Sequence, residues 1–412
     1  MSDTSPPAAR AVSAYDEQRV LAAAAARGEP AWLRARRSEA ARAFAAAPLP
    51  TPALRPWKYT DVTKLDLDAF APAVARLRVE AQTPAGTFAG ALQDAAAQRE
   101  AVVREHLGSV VTATEGKFAA ANAALWSAGV LVHAPRGTAF PQPVVLRLDA
   151  ALAAPAAIFP RLLIVAEERA DVGVVLRSQS GEAPLLSLGV IEIVAGAGAR
   201  VRLVLDGRWG AQTQEFTIVR SRLARDADVQ VSSLAIDGRL VKQTIEALLE
   251  GDGASSTIRG VALGDRGQHF DFVTLQDHMA ARTSSKVEIR SALAGRSRSI
   301  YYGVTRVGER AAGAQAYQEN RNLLLSEHAK ADSDPVLEIL TAEVARCGHG
   351  ATVGPVDAEQ LFYLQSRGLD RRQALQLLVY GFFQSVAGAL PPSEAADGLY
   401  ETVTAKLASA EL

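Results

Sequence analysis

The single cysteine of the chain and a histidine two positions after it are the residues best suited to bind a metal. They lie in the segment Cys347-Gly348-His349-Gly350-Ala351-Thr352-Val353-Gly354, and no other cysteine occurs among the 412 residues. In an extended strand, residues i and i+2 point to the same face, so a thiol and an imidazole would lie side by side. Both groups suit zinc or iron, but two ligands cannot complete a site that needs three or four. The spacing therefore predicts an incomplete site whose other ligands come from elsewhere, most simply from a second chain.

A structural role is the alternative for each of these two residues. A lone cysteine in a β-protein commonly behaves as a small buried hydrophobic residue. Gly348 and Gly350, which flank His349, leave room for a partner backbone or a ligand to approach closely. The spacing alone leaves both interpretations open.

The composition predicts a soluble, cytoplasmic protein. Hydrophobic residues make up 49% of the chain, charged residues 22%, and the formal net charge is −1, so no strong field attracts nucleic acid or anionic lipid. The N-terminal segment lacks the basic and apolar parts of a secretory signal, and no apolar run reaches the roughly 18 residues of a membrane helix. One cysteine excludes an internal disulfide framework and fits a reducing compartment.

Three compositional zones predict three structural regions. Residues 1–130 are alanine-rich with helical spacing, which predicts an N-terminal helical region. Residues 131–355 carry short β-branched runs separated by glycine, aspartate and alanine, as strands and turns require. Residues 356–412 return to a helical pattern. The helices predicted in the first region are 15–27, 31–46, 91–106 and 117–126.

A soft repeat in the middle region predicts stacked coils. Similar triplets recur at intervals of roughly 25 to 29 residues, each at a turn followed by a strand. The triplets are Ala170-Asp171-Val172, Ala199-Arg200-Val201, Ala227-Asp228-Val229 and Gly253-Ala254-Ser255. We therefore expect a mainly β fold, a right-handed parallel β-helix core flanked by N-terminal and C-terminal α-helical regions. A β-sandwich is the alternative.

Polar pairs mark the starts of the C-terminal helices. Asp357 followed by Gln360, and Asp370 followed by Gln373, have the spacing of a capping box. A last helix is expected to begin at Ser393. About 55 residues are too few to bury their own apolar surface, so part of it should pack on the strand core or on another protein.

Other motifs are interpreted structurally. Gly196-Ala197-Gly198 lacks the third glycine and the following helix of a dinucleotide site, so it predicts a turn between coils. No P-loop spacing is present, and the chain should not bind ATP itself. His269 and His278 are expected to form hydrogen bonds between coils.

Carboxylates in the strand region leave open a second class of function. β-Helix enzymes that act on carbohydrates use paired carboxylates. The candidates are Asp271, Asp277, Glu288 and Glu309, and their spacing selects no pair.

Several segments, in the expected order, resemble the SufB/SufD family. The resemblance covers most of residues 50–390 and is strongest near the C-terminus. The matching segments are Trp57-Lys58-Tyr59-Thr60, Asn322-Leu323-Leu324-Leu325-Ser326, Leu337-Glu338-Ile339, Cys347 to Gly354, and Leu361-Phe362-Tyr363-Leu364-Gln365-Ser366-Arg367-Gly368-Leu369. Within the family the chain looks like SufD, because SufB carries additional cysteines and Cys347 is alone.

The resemblance implies a non-catalytic scaffold subunit for iron–sulfur cluster assembly in the SUF system. Such a subunit pairs with a SufB-type protein through its β-helix edge, here near 335–355, and binds the SufC ATPase through residues 357–390. The family's cluster-assembly histidine corresponds to His349, and Cys347 to a neighbouring SufD cysteine of less certain necessity. The resemblance implies no permanently bound cofactor. It implies a transient iron–sulfur cluster at the interface with SufB, and a role for ATP only through SufC. A self-pairing homodimer is the alternative within the family.

Overall fold

Strands account for most of the chain, and helices lie before and after them. The structure is a computed structural model that describes residues 13–387 and 399–410. Its helices are α1 (Glu17–Ala26), α2 (Ala31–Ala46), α3 (Leu92–Gln98), α4 (Glu100–His106), α5 (Lys117–Leu125), α6 (Ala358–Ser366), α7 (Arg371–Ala387) and α8 (Leu399–Ser409). No helix within those two described ranges is long and apolar enough to cross a membrane.

The strands have nearly uniform length in the second half of the chain, where most contain ten residues. Their bounds are β1 (Ala71–Pro72), β2 (Arg76–Glu80), β3 (Phe88–Ala91), β4 (Gly129–Ala134), β5 (Val144–Ala150), β6 (Ala156–Ile158), β7 (Arg161–Ala166), β8 (Asp171–Ser180), β9 (Leu185–Ala195), β10 (Arg200–Arg208), β11 (Thr213–Leu223), β12 (Asp228–Ala235), β13 (Leu240–Leu249), β14 (Ser255–Gly264), β15 (His269–His278), β16 (Ser284–Leu293), β17 (Arg298–Val307), β18 (Gln315–Leu324), β19 (Lys330–Ile339) and β20 (Arg346–Pro355).

The strands form two sheets, and from β7 onward successive strands alternate between them. Sheet one has the order β19-β17-β15-β13-β11-β9-β7-β4-β3, with β6 and β1 beside it; sheet two has the order β2-β5-β8-β10-β12-β14-β16-β18-β20. Every pairing among strands β4 to β20 is parallel. The chain thus winds in stacked coils around a shared core, which confirms the predicted parallel β-helix. The alternative β-sandwich, which is antiparallel, does not fit.

The predicted repeat is the corner at which each coil enters sheet two. Ala170, Ala199, Ala227 and Ala254 stack there and are at most 1% exposed. The amide after each alanine donates to the alanine carbonyl of the preceding coil, at 2.8 Å in each of the three steps. The residue before each alanine has left-handed φ values of 57 to 71°, and at one corner this residue is Gly198, as the predicted turn requires.

The helices cover the outer faces of the two sheets. Leu33 of α2 and Phe118 of α5 belong to an apolar cluster that includes Phe216, on the outer face of sheet one. Val379 of α7 packs in a second cluster with Val261, on the outer face of sheet two. Each sheet is therefore covered on its inner face by the core and on part of its outer face by helices.

Most predicted helix limits agree with the structure, with two differences. The predicted helix 91–106 is divided at Arg99, which has φ −133° and separates α3 from α4. Strands β1 to β3 lie within the region expected to be helical, and they pair with β6, β5 and β4. The alternating sequence Arg76-Leu77-Arg78-Val79-Glu80 has the two-residue period of a strand, which the alanine-rich surroundings obscure.

The C-terminal helices begin at the predicted polar residues. Asp357 accepts hydrogen bonds from the backbone N–H groups of Glu359 and Gln360. The Asp370 N–H donates to Gln373 at 3.0 Å, and the Gln373 N–H donates to Asp370 at 2.8 Å, which completes a capping box. Ser393, the predicted start of the last helix, lies outside the described residues.

His278 is fully buried at the end of β15. Its Nδ1 lies 2.8 Å from the Thr283 hydroxyl and its Nε2 lies 2.7 Å from the Ser285 hydroxyl. These hydrogen bonds close the corner between β15 and β16, so they lie within one coil and not between coils as predicted. Burial lowers the pKa of His278 to about 4, although the nearby Asp277 carboxylate opposes the shift.

We expect the stability of the protein to fall as the pH is lowered from 6.5 to 4. The unfolded imidazole of His278 binds a proton near pH 6.5, but the folded one does so only near its pKa of about 4, so acidification favours unfolding in this window. The effect of one such histidine reaches up to about 3 kcal/mol. Urea unfolding at pH 7, 5.5 and 4.5 measures the free energy of unfolding.

The unfolding free energy of His278→Asn should depend less steeply on pH than that of the wild type. His328→Asn, which changes an exposed histidine, should follow the wild type. Equal slopes in all three proteins would contradict the prediction.

Candidate functional site at the terminal coil

Strands β19 and β20 form the last coil, and they stack on only one side. β19 pairs with β17 and β20 pairs with β18, and each is the final strand of its sheet among the described residues. One edge of each strand therefore carries backbone groups with no strand partner, a known template for pairing with another chain. We call these two strands the terminal coil.

Cys347 and His349 lie on the face of β20 that continues the core. Their register partners on β18 are Ala316 and Gln318, which are 3% and 1% exposed. The strand periodicity predicted from the sequence thus brings the two side chains to one face. Because no further strand of the described residues stacks on β20, His349 is exposed and Cys347 is half-buried.

The Cys347 thiol has a partly apolar environment. It packs beside Val307, Ala311 and Ala314. Burial raises the pKa of Cys347, and a hydrogen bond with the Gly348 backbone opposes this shift. Burial therefore disfavours the thiolate, which a bound metal or a nearby cation would stabilise.

The terminal coil does not hold a complete metal site. No group of three or more histidine, cysteine, aspartate or glutamate residues is arranged for a metal within residues 13–387 and 399–410. His269 and His278 are both engaged by hydroxyl groups. His349 and Cys347 offer two ligands on one face, as their spacing predicts.

The two glycines beside His349 lie against a tyrosine of the preceding coil. They are on the outer face of β20, where a Cβ on Gly348 would lie 3.7 Å from the Tyr317 ring and a Cβ on Gly350 would lie 3.3 Å from its hydroxyl. The approach of a partner or ligand from the free edge of β20 stays a prediction.

A buried polar connection lies beneath His349. The Tyr301 hydroxyl donates to Gln318 Oε1 at 2.7 Å, and Gln318 Nε2 donates to the Val336 carbonyl at 3.0 Å. Gln318 thus joins β18 to β19 across the interior, directly under the register position of His349. This connection holds β19 of the terminal coil against β18 of the preceding coil.

Apolar side chains are exposed at the same end of the β-helix. Ile339 is 45% exposed, Leu340 60% and Val353 46%. Ile339 and Val353 occupy core-facing positions, since their register partners Val307 and Asn322 are buried. A partner that stacked on the terminal coil would cover this surface.

Residues 55–60, here called the strap, cross the outer face of sheet one and reach the terminal coil. Trp57 stacks on Phe216 of β11 at 6.0 Å between ring centroids. Tyr59 donates to Asp334 of β19 at 3.3 Å, and the Lys58 ammonium lies 3.6 Å from the same carboxylate. The segment was recognisable in the sequence only as a family motif; the structure gives it a physical role.

A buried ion pair fastens the strap to the sheet. Lys242 Nζ donates to the Pro56 carbonyl at 2.5 Å and to Asp271 at 2.6 Å. The Thr60 hydroxyl also donates to Asp271 and lies 2.9 Å from His269 Nε2. Burial lowers the pKa of Lys242, which Asp271 opposes, and it lowers the pKa of His269 to about 4. Sequence patterns could not assign these residues, because their partners in the strap lie more than 180 positions away.

The carboxylates considered for carbohydrate chemistry serve other contacts. Asp271 binds Lys242, and Asp277 forms two hydrogen bonds with Arg306. Glu288 lies 2.8 Å from Lys286 and 3.6 Å from Arg259. Three of the four candidates are therefore held by cations of this chain.

A separate exposed apolar surface lies on the C-terminal helices. Phe362 and Tyr363 of α6 are 73% and 54% exposed, and Leu377 of α7 is 47% exposed. The same helices bury Leu361, Leu375 and Val379 against sheet two. These helices are thus anchored on one face and apolar on another.

Comparison with known proteins identifies a family of iron–sulfur cluster assembly proteins. The family model for the SufBD core domain, described as SUF system FeS cluster assembly, matches residues 149–382. This match covers more than half of the chain, so the chain belongs to the SufBD family. The predicted family is confirmed.

Relatives in bacteria agree with this result. The chain is 29% identical over 301 residues to the iron-sulfur cluster assembly protein SufB of Bacillus subtilis, covering 71% of this chain and 63% of that protein. It is 29% identical over 306 residues to SufBD family proteins of Staphylococcus epidermidis and Staphylococcus haemolyticus. These matches also cover 71% of this chain and 63% of each relative. The chain therefore spans about 63% of the length of these relatives.

Gly303→Ala should destabilise the terminal coil. A Cβ at Gly303 would lie 2.0 Å from the Tyr301 hydroxyl and 2.4 Å from Gln318 Oε1, so the buried connection beneath His349 would have to move. Overpacking of this kind costs about 1–3 kcal/mol of unfolding free energy. Urea unfolding measures the loss, and hydrogen exchange should show faster exchange in β19 and β20.

The matched control is Gly354→Ala, on β20. A Cβ at Gly354 would meet no atom within 4 Å, so this variant should unfold like the wild type. If both variants were equally stable, the close packing at Gly303 would not matter for the terminal coil.

Proposed function

We propose that the chain is a SufD-like scaffold subunit for iron–sulfur cluster assembly, which pairs with a SufB-type subunit through the terminal coil. The observation that carries this proposal is the open end of the β-helix, where unpaired strand edges, exposed Ile339 and Val353, and the two ligands of β20 occur together. Strand pairing across such an edge provides main-chain hydrogen bonds, and apolar contacts add affinity. Membership of the SufBD family supports the assembly role.

The single cysteine supports a SufD-like role over a SufB-like one. Resemblance to the family implies that SufB carries further cysteines, including one that receives sulfur. This chain has only Cys347, and burial raises the pKa of its thiol. The relatives named above are SufB and SufBD proteins, so the finer assignment belongs to this proposal.

The nascent cluster is cargo held between the subunits. His349 would supply one imidazole from its exposed position on β20, and Cys347 would be the second, less essential ligand. Partner thiolates would provide the softer ligands that iron and sulfide chemistry requires. No permanently bound cofactor is part of the proposal, and the scaffold itself is not an enzyme.

The C-terminal helices are proposed to bind a SufC-type ATPase. The exposed side chains of Phe362, Tyr363 and Leu377 lie within the predicted binding region 357–390, of which residues 388–390 lie outside the described chain. An aromatic and aliphatic surface of this kind is typical of interface hot spots. ATP would act only through that partner.

Two alternatives are tested by the same purified protein. A homodimer is favoured by the terminal coil, because an exposed strand edge can pair with its own copy. A carbohydrate-active enzyme is disfavoured by the cations that hold Asp271, Asp277 and Glu288. Light scattering of the chain with and without a SufB-type partner separates the homodimer from the heterocomplex.

His349→Ala should reduce cluster assembly and leave the complex intact. The imidazole is exposed and its removal leaves no buried group unpaired, so pairing of the subunits should not change. Loss of one required ligand or proton acceptor lowers yield by about tenfold or more. Co-expression with SufB-type and SufC-type partners, pull-down, and anaerobic iron and sulfide analysis give both readouts.

His328→Ala is the matched control, since this histidine is also exposed and follows β18. Cys347→Ser should have a smaller effect than His349→Ala. Wild-type cluster yield in the His349→Ala complex would refute the site, and loss of the complex itself would indicate a structural role.

Phe362→Asp should weaken binding of the ATPase. A charge placed in the centre of an apolar contact removes a hot-spot residue, which costs at least about 2 kcal/mol, or roughly thirtyfold in affinity. Biolayer interferometry with a SufC-type protein measures the change. Val74→Asp, which alters another exposed apolar residue far from α6 in sequence, should bind like the wild type. Equal affinity of both variants would exclude Phe362 from the interface.

A further inference from the structure

Three arginines lie side by side on the outer face of sheet two, at its N-terminal end. Arg78 of β2 is in register with Arg147 of β5, and Arg147 with Arg177 of β8. Register neighbours lie about 4.8 Å apart across a sheet, so three cationic side chains start from adjacent positions. Like charges directly opposite each other destabilise a sheet. The row ends at Asp206 of β10, the register partner of Arg177.

A second row lies two residues away and adds two more arginines. It contains Arg76, Asp149, Gln179 and Arg208 in register. The two rows line one groove of about 380 Å³. We call the five arginines the arginine face; they are Arg76, Arg78, Arg147, Arg177 and Arg208.

The carboxylates near the arginine face are already engaged. Arg147 lies 2.8 Å from Glu80, and Arg208 lies 2.8 Å from Asp206. Asp149 accepts a hydrogen bond from the Ala151 N–H at 3.0 Å. With five arginines against Glu80, Asp149 and Asp206, the formal charge of the region is 5 − 3 = +2.

The cations left for a ligand lie on β2. Arg76 and Arg78 are exposed, and neither makes an ion pair with any residue in the described part of the chain. They are two residues apart, so both project from the same face of the strand, about 7 Å from each other at the backbone.

β2 is also the edge of sheet two. It pairs antiparallel with β5, and no other described strand lies on its second side. Charged residues on an edge strand often serve only to prevent aggregation. Here the arginines continue onto β5, β8 and β10, which are interior strands, so the positive charge extends beyond what edge protection requires.

We propose that the arginine face binds an extended, acidic segment of a partner protein, which pairs with the free edge of β2. Every second residue of such a segment would lie on the arginine side, with the same spacing as Arg76 and Arg78. Arginine binds carboxylates through paired, charge-assisted hydrogen bonds. The groove lining contains no aromatic residue, so a nucleotide base finds no stacking surface there.

The arginine face lies beside the C-terminal helices and far along the β-helix from the terminal coil. Arg208 Nη1 donates to the Thr402 hydroxyl of α8 at 3.0 Å. Seven strands of sheet two lie between β2 and β20 in the sheet order. The acidic segment would therefore bind independently of a partner at the terminal coil.

Fluorescence anisotropy with a synthetic peptide tests this inference. The probe is a fluorescein-labelled decapeptide that alternates glutamate with valine, added to the full chain at low ionic strength. Arg76→Glu/Arg78→Glu should weaken its binding about tenfold or more, since two exposed ion pairs are replaced by repulsion. Arg200→Glu/Arg225→Glu changes the net charge equally at exposed positions outside the groove, and should bind like the wild type.

Two further measurements decide between specific and general attraction. The same peptide with glutamine in place of glutamate should not bind, and hydrogen exchange should show new protection of amides 76–80 in the presence of the acidic peptide. Equal weakening in both double variants would overturn the proposal, and so would binding without that protection. Tripolyphosphate that competes fully while leaving these amides unprotected would identify a small-anion site instead. No SUF partner is present in the assay, so its result does not depend on the proposed scaffold function.

Discussion

The interruption of coil stacking is the constraint on which the rest of the structure depends. In a parallel β-helix, each strand satisfies its backbone groups through the coils on either side, and each core residue is covered by the next coil. Val307 on β17 is completely buried, whereas Ile339, its register partner on β19, is 45% exposed. The same position is core in one coil and surface in the next. The candidate site exists because the repeat stops, and not because a separate active-site loop was added.

Several polar interactions compensate for this interruption inside the molecule. Near this end of the β-helix, the interior contains the polar residues Tyr301, Gln318 and Asn320 in place of apolar ones. All three are nearly inaccessible to solvent and hydrogen-bonded. A polar interior of this kind is stable only when its groups are paired, because an unsatisfied buried group costs about 1–3 kcal/mol. Gly303 provides the space in which the tyrosine and glutamine meet. The end of the β-helix is thus held by directional contacts where hydrophobic stacking runs out.

Local patterns in the sequence predicted the architecture well, since they depend on near neighbours. Alternating burial, the alanine corners and the capping residues Asp357 and Asp370 are all short-range signals. The i, i+2 spacing of Cys347 and His349 likewise predicted a shared face. What the sequence could not show were contacts between distant positions: Lys242 with Pro56, or Tyr317 beside Gly348. The arginine face was missed for the same reason, because its rows become visible only when β2, β5 and β8 are placed in register.

The strap joins parts of the chain that are synthesised far apart. Tyr59 and Asp334, which it brings together, are 275 positions apart. A contact of this range can form only after the strands between them have stacked, and closing so long a loop has an entropic cost that grows slowly with its length. The strap therefore reaches its last contact only when β19 is in place, whereas its contacts with β11, β13 and β15 need fewer coils. The N-terminal part of the chain thus contributes to holding the last coil, so the strand edge offered to a partner depends on residues at both ends of the fold.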